Sequence, residues 1–308
     1  MVVSMTGLHV ALGAKEIVHG VDLTIGDGER VGLIGPSGSG KSMIAKSLLG
    51  LLPREARLSG GITMGDVAIL TSNGDARGMR DVAVRDGSVR EVRDTRGVTS
   101  VYADERTLAD LRGRYVGTVF QNPTRSLNPV MTVAQIVGLP LRLHYDLTLA
   151  ERADRVKAML DKVGLPQDAL PKRPHELSGG QRQRVGIAAA LITSPRFIIA
   201  DEPTTALDSV TQRAIVDLLV SLVDDAGASM LFITHDFAVL ARATTRCYVL
   251  DAGRIVESGR TADLLAAPQA GPTRELVAAA RMLTLHAERA GTDADSIDSA
   301  GEVPREWE

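Results

Sequence analysis

One octapeptide constrains this chain more than any other part of it: Gly35-Pro36-Ser37-Gly38-Ser39-Gly40-Lys41-Ser42. It follows a short apolar run at 31–34 and leads into a helical pattern at 42–51 that Pro53 is expected to close. In a strand–loop–helix unit with the pattern G-x-x-x-x-G-K-S/T, the glycines let backbone N–H groups close around phosphate oxygens, and the helix N-terminus adds partial positive charge. Lys41 then neutralises the β and γ phosphates, and the Ser42 hydroxyl can ligate Mg²⁺. A bland glycine-rich turn would need neither the strand before it nor the helix after it. Binding of ATP with Mg²⁺ is therefore expected here.

Two more apolar runs, 197–200 and 230–234, are short, rich in β-branched or aromatic residues, and end in polar clusters, as 31–34 does. These are expected to be buried strands of an α/β sheet, whose ligand-handling side chains sit at the carboxyl ends of the strands. Residues 209–223 carry Ile215, Leu218, Leu219 and Leu222 at helical spacing. Between these elements, 132–143, 149–163 and 181–193 look helical without comparable strands, and Thr148 and Glu151 have the spacing of a capping box. The expected fold class is α/β: a phosphate-loop nucleotide-binding core with an inserted α-helical subdomain, about 123–193, and an antiparallel β subdomain. One nucleotide-binding domain is expected over 1–283. Short Val/Arg/Asp alternations broken by glycines, about 71–105, read as an inserted hairpin or loop. Residues 284–308, acidic and small without apolar period, read as a frayed tail.

Composition narrows the partners. Thirty-five basic against thirty-eight acidic residues give a formal charge of −3, so the basic bias of a nucleic-acid binder is absent and no nucleic-acid partner is expected. Cys247 is the single cysteine, too few for a disulfide, a cysteine zinc site or an iron–sulfur cluster, which fits a reducing compartment. Residues 1–19 lack the basic-then-apolar pattern of a secretory signal, and the longest uncharged run, 126–141, is shorter than the roughly 20 apolar residues that cross a bilayer. A soluble, cytoplasmic chain is expected.

Two further motifs carry chemistry. The apolar run at 197–200 ends in Asp201 and Glu202; such a strand end presents Asp201 near a metal and Glu202 near the γ-phosphate, where a carboxylate can polarise water for in-line attack. The plain alternative is a solvated acidic turn, which the phosphate loop upstream makes the weaker reading. Leu177-Ser178-Gly179-Gly180-Gln181 opens a helix with Ser178 and Gln181 at capping-box spacing, which alone fits a plain capped helix, and its glycines and serine also expose N–H groups, a ready second anion site. Two anion sites in one chain require either two anions or two chains sharing one.

The glycine loop, the Ser178–Gln181 motif and Asp201-Glu202, in that order, resemble the ATP-binding cassette (ABC) transporter ATPases over about 8–281. That resemblance implies a pair of such subunits, homologous or identical, sandwiching two ATP molecules, each held by one subunit's phosphate loop and the other's Ser178–Gln181 helix. It implies that Gln121 senses Mg²⁺ and links the site to a membrane partner, and that His235 contacts the γ-phosphate. It also implies that Ala206-Leu207-Asp208 crosses the dimer interface, although Asp208 equally fits a plain N-cap. Nucleotide contacts are thus expected at Gly35 to Ser42, Gln121, Ser178 to Gln181 and Asp208, with Ser42, Gln121 and Asp201 at the metal and Glu202 and His235 as catalytic residues. Phe120-Gln121-Asn122-Pro123, Ser126-Leu127-Asn128-Pro129 and Pro272-Thr273-Arg274-Glu275-Leu276 resemble the oligopeptide, dipeptide and nickel importer branch. The implied assembly has two transmembrane permease subunits and an extracytoplasmic solute-binding protein, with this chain peripheral on the cytoplasmic face. Non-transport members of the family, in nucleic-acid or repair assemblies or as ATP-dependent assembly subunits, are the alternative. One departure stands out: Leu12 occupies the position where the family usually stacks an aromatic residue on adenine.

Overall fold

The protein is described from a computed structural model, which covers residues 1–53, 55–72, 90–93, 99–121, 126–205 and 207–282, with backbone only at 90–93 and 99–100. Among the described residues the chain forms two six-stranded sheets. The first is antiparallel, in the order β2 (Lys15–Ile25), β1 (Val3–Leu12), β4 (Ala56–Met64), β5 (Val67–Ser72), β7 (Thr99–Tyr102), β6 (Arg90–Arg93). The second runs β12 (Arg254–Arg260), β11 (Arg246–Asp251), β3 (Arg30–Ile34), β10 (Ser229–Thr234), β9 (Phe197–Asp201), β8 (Val116–Val119), parallel except for the β11–β12 hairpin at its edge.

The central parallel strands are apolar along their whole length because both of their faces are covered. Side chains alternate across a strand. Val31, Leu33, Phe197, Ile199, Leu231, Ile233 and Leu250 enter the core between the two sheets, which also holds Ile44 and Leu48 of helix α1 (Lys41–Leu49). Their neighbours Ile34, Ile198, Ala200, Met230, Phe232 and Val249 enter a second core against the helices. Those helices are α3 (Val133–His144), α4 (Leu149–Lys162), α5 (Gly179–Leu191), α6 (Ser209–Asp225) and α7 (Phe237–Ala243). α2 (Glu105–Leu111) packs on the sheet–sheet side, and α8 (Thr261–Ala266) and helical residues 271–282 follow the last strand. Close packing of α5 on β8 depends on Gly117, where a Cβ would stand 2.2 Å from the Ala190 carbonyl oxygen.

The three expected strands and the helices between them are present, with shifted ends. α1 stops at Leu49 rather than at Pro53, because Gly50 takes a left-handed φ of 66° and its N–H closes the last turn on Lys46 and Ser47. α5 starts at Gly179 because Ser178 is its N-cap, and the capping boxes at Thr132/Gln135, Thr148/Glu151 and Ser178/Gln181 are all formed. In the segment around 71–105, β6 and β7 pair as an antiparallel hairpin, while 73–89 and 94–98 lie outside the described residues. Asp104, accepting from Thr107 N at 2.6 Å, starts α2 at the end of the segment that reads as hairpin or loop, a helix for which the sequence reading has no counterpart. The expected tail at 284–308 also lies outside the described residues. Among the described residues no helix is long and apolar enough to cross a membrane.

Candidate functional site

Parallel pairing brings the carboxyl ends of β8, β3, β9 and β10 to one edge of the sheet, and the residues that follow them converge there. After β3, Gly35 packs so tightly on β11 that a Cβ would lie 2.0 Å from the Leu250 carbonyl oxygen. Gly38 (φ 81°) and Gly40 (φ 110°) take backbone angles open to glycine, turning the loop into α1, whose N-cap Gly40 offers no side-chain acceptor to the first amides. Those amides are free to meet an anion. Lys41 is buried, its Nζ donating to the carbonyls of Gly35 (2.8 Å) and Pro36 (2.9 Å). Burial pulls the ammonium below the usual lysine range, while the charges of Glu202 and Asp201 oppose that shift.

Asp201 ends β9 with its carboxyl pushed above the usual range, first by burial and then by Glu202, against a hydrogen bond from Ser42 and the charges of Lys41 and Lys46. Its Oδ1 is buried without a hydrogen-bond partner. A hydroxyl and an unsatisfied carboxylate oxygen are hard donors, and this pair fits Mg²⁺. Glu202 has a left-handed backbone (φ 46°), uncommon outside glycine and of the kind that gathers at active sites. Its Oε2 accepts from Gln121 Nε2 at 2.9 Å and Thr205 Oγ1 at 3.1 Å, and its Oε1 lies 3.3 Å from His235 Nδ1. The Glu202 side chain is 16% exposed and that of His235 54%, so the carboxylate is recessed and the imidazole stands at the mouth. Residues from three strand ends thus meet on one carboxylate.

The other expected residues sit elsewhere. Ser178 Oγ accepts from Gln181 N (3.2 Å) while Ser178 N donates to Gln181 Oε1 (3.0 Å), which presents the N-terminus of α5 as a formed cap. Among the described residues no hydrogen bond or ion pair links Ser178, Gly179, Gly180 or Gln181 to the Gly35–Ser42 loop. Within one chain Asp208 is the N-cap of α6, accepting from Thr211 N at 2.9 Å, and that bond holds its carboxyl below the usual range. Leu12 is half-buried against the sheet–sheet core. Ala206, Asn122 and Pro123 lie outside the described residues. Thr205 was not anticipated; its one sequence signal is its position three residues after Glu202. Beside Gln121, a cavity of about 310 Å³ between β8, α3 and α5 is lined by Phe120, Leu51, Leu139 and the buried Gln183.

A sequence profile of the family described as ABC transporter matches residues 18–205, which include the phosphate loop, Gln121, the Ser178–Gln181 cap and Asp201-Glu202. The chain belongs to the ABC transporter family. It is an ABC ATPase, and nucleotide binding and ATP hydrolysis are the family's chemistry. A protein of Brucella abortus (strain 2308), named for peptide import and ATP binding, is 40% identical over 261 residues, 83% of this chain and 70% of the relative. The peptidoglycan transport ATP-binding protein YejF of Agrobacterium fabrum is 40% identical over 272 residues, 87% of this ABC chain and 44% of that protein. Among solved structures, the ATP-binding cassette MJ0796, a dimer in a post-hydrolysis state with ADP and Pi, superposes with a TM-score of 0.65 at 29% identity, covering 84% of this chain and 98% of that one. The protein cbiO1 of Clostridium perfringens, part of the ABC transporter complex cbiONQ, shares the fold with a TM-score of 0.68 at 24% identity, covering 96% of this chain and 98% of that one.

Proposed function

We propose that this chain is the ATPase subunit of an importer for peptides, nickel or metal chelates, or similar small solutes, working from the cytoplasmic face of the membrane. The observation that carries the reading is the convergence of Gln121, Glu202 and His235 beside the Lys41 loop. Lys41 and the loop amides bind the β and γ phosphates of ATP. Ser42 and Asp201, with Gln121, would hold Mg²⁺, which when bound offsets charge on those phosphates. Glu202 accepts a proton from the attacking water, and His235 fixes the γ-phosphate. The α5 cap, unconnected to its own phosphate loop, is available to a second ABC subunit, so that ATP closes the pair and hydrolysis with product release reopens it. Asp208 lies on the same closing surface. A membrane subunit meets the chain beside Gln121, where Phe120 and Leu51, each 45% exposed, rim the apolar cavity. The name of the Brucella relative supports peptides as cargo; an external binding protein that delivers them belongs to the proposed assembly.

The test is extraction of the tagged chain in mild detergent, with the masses of co-purifying proteins and Mg²⁺-dependent ATPase activity measured for wild type and Glu202→Gln. Co-purifying polytopic membrane proteins and a loss of about 10²- to 10⁴-fold in turnover are expected. Soluble or nucleic-acid partners alone would overturn the importer reading, and an active Glu202→Gln would overturn the assignment of the base.

A further inference from the structure

Three donors meet Glu202, and they differ in what they can do during a catalytic cycle. Gln121 follows β8, and His235 follows β10. Each has another task in the proposed mechanism, Gln121 toward the metal and the membrane partner, His235 toward the γ-phosphate, and taking up that task would draw each away from Glu202. Thr205 is different. It stands on the same turn as Glu202, and its main-chain N–H already closes that turn on the Glu202 carbonyl at 3.3 Å. Its hydroxyl lies 3.2 Å from that carbonyl and 3.1 Å from Glu202 Oε2.

A hydroxyl has one proton to donate. The carbonyl is served by the amide of the same residue, whereas the carboxylate is charged and draws a donor more strongly than a neutral oxygen does. The Thr205 proton therefore goes to Oε2. The left-handed backbone at Glu202 sets the side chain off in a direction that an ordinary strand end would not give. Beyond that point a glutamate has several rotatable bonds, and without a local donor its carboxylate would sample orientations away from the water it must polarise.

We propose that Thr205 is a positioning residue for hydrolysis: its hydroxyl keeps Glu202 aimed after Gln121 and His235 have turned to nucleotide and metal. This rests on the reading of Glu202 as the base. The hydroxyl is dispensable for closing the turn, because the amide does that, and among the described residues its hydrogen bonds go to Glu202 and not to the phosphate loop.

The experiment compares Thr205→Val, Thr205→Ser and Glu202→Gln in the purified full chain, measuring kcat and KM for Mg-ATP and, separately, binding of a fluorescent ATP analogue. Valine has the shape of threonine without the hydroxyl. The expected result is a fall of about tenfold in kcat for Thr205→Val, the loss of one hydrogen bond to a charged group, with KM and analogue binding unchanged. Thr205→Ser should recover kcat to within about twofold. Adding Thr205→Val to Glu202→Gln should cost nothing further, since residues acting through one another are not additive. An unchanged kcat in Thr205→Val, a loss shared equally by KM, failure of serine to rescue, or additivity with Glu202→Gln would each overturn the positioning role while leaving Glu202 in place. Full activity in Glu202→Gln would remove the base itself and the role of Thr205 with it.

Discussion

Gly35→Ala is the sharpest test of why the phosphate loop has its shape. The added methyl would lie 2.0 Å from the Leu250 carbonyl oxygen, 3.1 Å from the Leu250 carbonyl carbon and 2.8 Å from Ser39 Oγ, where ordinary contacts begin near 3.4 Å. Neither side can easily withdraw. β11 is held to β3 through Tyr248 opposite Leu33 and Val249 opposite Ile34, and the loop is tied to the β11–β12 turn by Gly253 N donating to Ser39 O at 3.0 Å. Relief requires a shift of more than an ångström in backbone. Overpacking of this kind costs about 3 kcal/mol, or about 6 °C in melting temperature for a chain of this size at about 2 °C per kcal/mol. The same shift moves the amides that meet phosphate. Wild type in Mg-ATP at a hundred times its Kd should gain about 2.7 kcal/mol, and Gly35→Ala should gain little. The assay is thermal unfolding with and without Mg-ATP, with Gly227→Ala as reference. At Gly227, φ is 58° but a Cβ would meet nothing within 4 Å, so about 1 kcal/mol of backbone strain is expected and the response to ATP should be intact. If Gly35→Ala melts with Gly227→Ala and keeps its ATP shift, the contact with Leu250 is not what demands glycine.

Two other expectations concern titrating groups. Asp201 has a folded pKa raised above its unfolded value, so the folded state binds the proton more tightly and stability falls as pH rises from about 4 through the folded pKa. Asp201→Asn should therefore melt higher than wild type at pH 7, the gain should vanish near pH 4, and Mg²⁺-dependent nucleotide binding should be lost; a gain independent of pH would refute the sign. Cys247 is buried, with its thiol pushed up to about 11, so a thiol reagent at pH 8 should leave the native chain unlabelled and react as denaturant unfolds it. Rapid labelling without denaturant would contradict that burial.

The central strands were legible because burial on both faces writes an unbroken apolar run, as in Phe197-Ile198-Ile199-Ala200. β1 was harder to read. Its inward residues Val3 and Met5 are followed by Leu8 and Val10, and the register shift between Met5 and Leu8 breaks the two-residue period that would have announced a strand. α2 has only seven residues and one capping aspartate to mark it. In the site, the phosphate loop and the α5 cap were readable because all their parts are consecutive. The bond from Gln121 to Glu202 spans 81 residues and exists because β8 lies beside β9, which no local pattern encodes. The contact of Thr205 was hidden for the opposite reason: it is local, but it depends on a left-handed turn at a glutamate, a conformation that residue type argues against.

The alternation of β3, β9 and β10 between the two cores bears on how the molecule comes apart. Ile198 and Ile199 are adjacent, yet one belongs to the helix-side core and the other to the core between the sheets. Neither cluster can loosen without stripping contacts from strands that the other needs, so the two do not melt as separate units. A calorimetric trace should show one peak, and the amides of Ile198 and Ile199 should exchange with solvent only through the same global opening, at closely matched free energies.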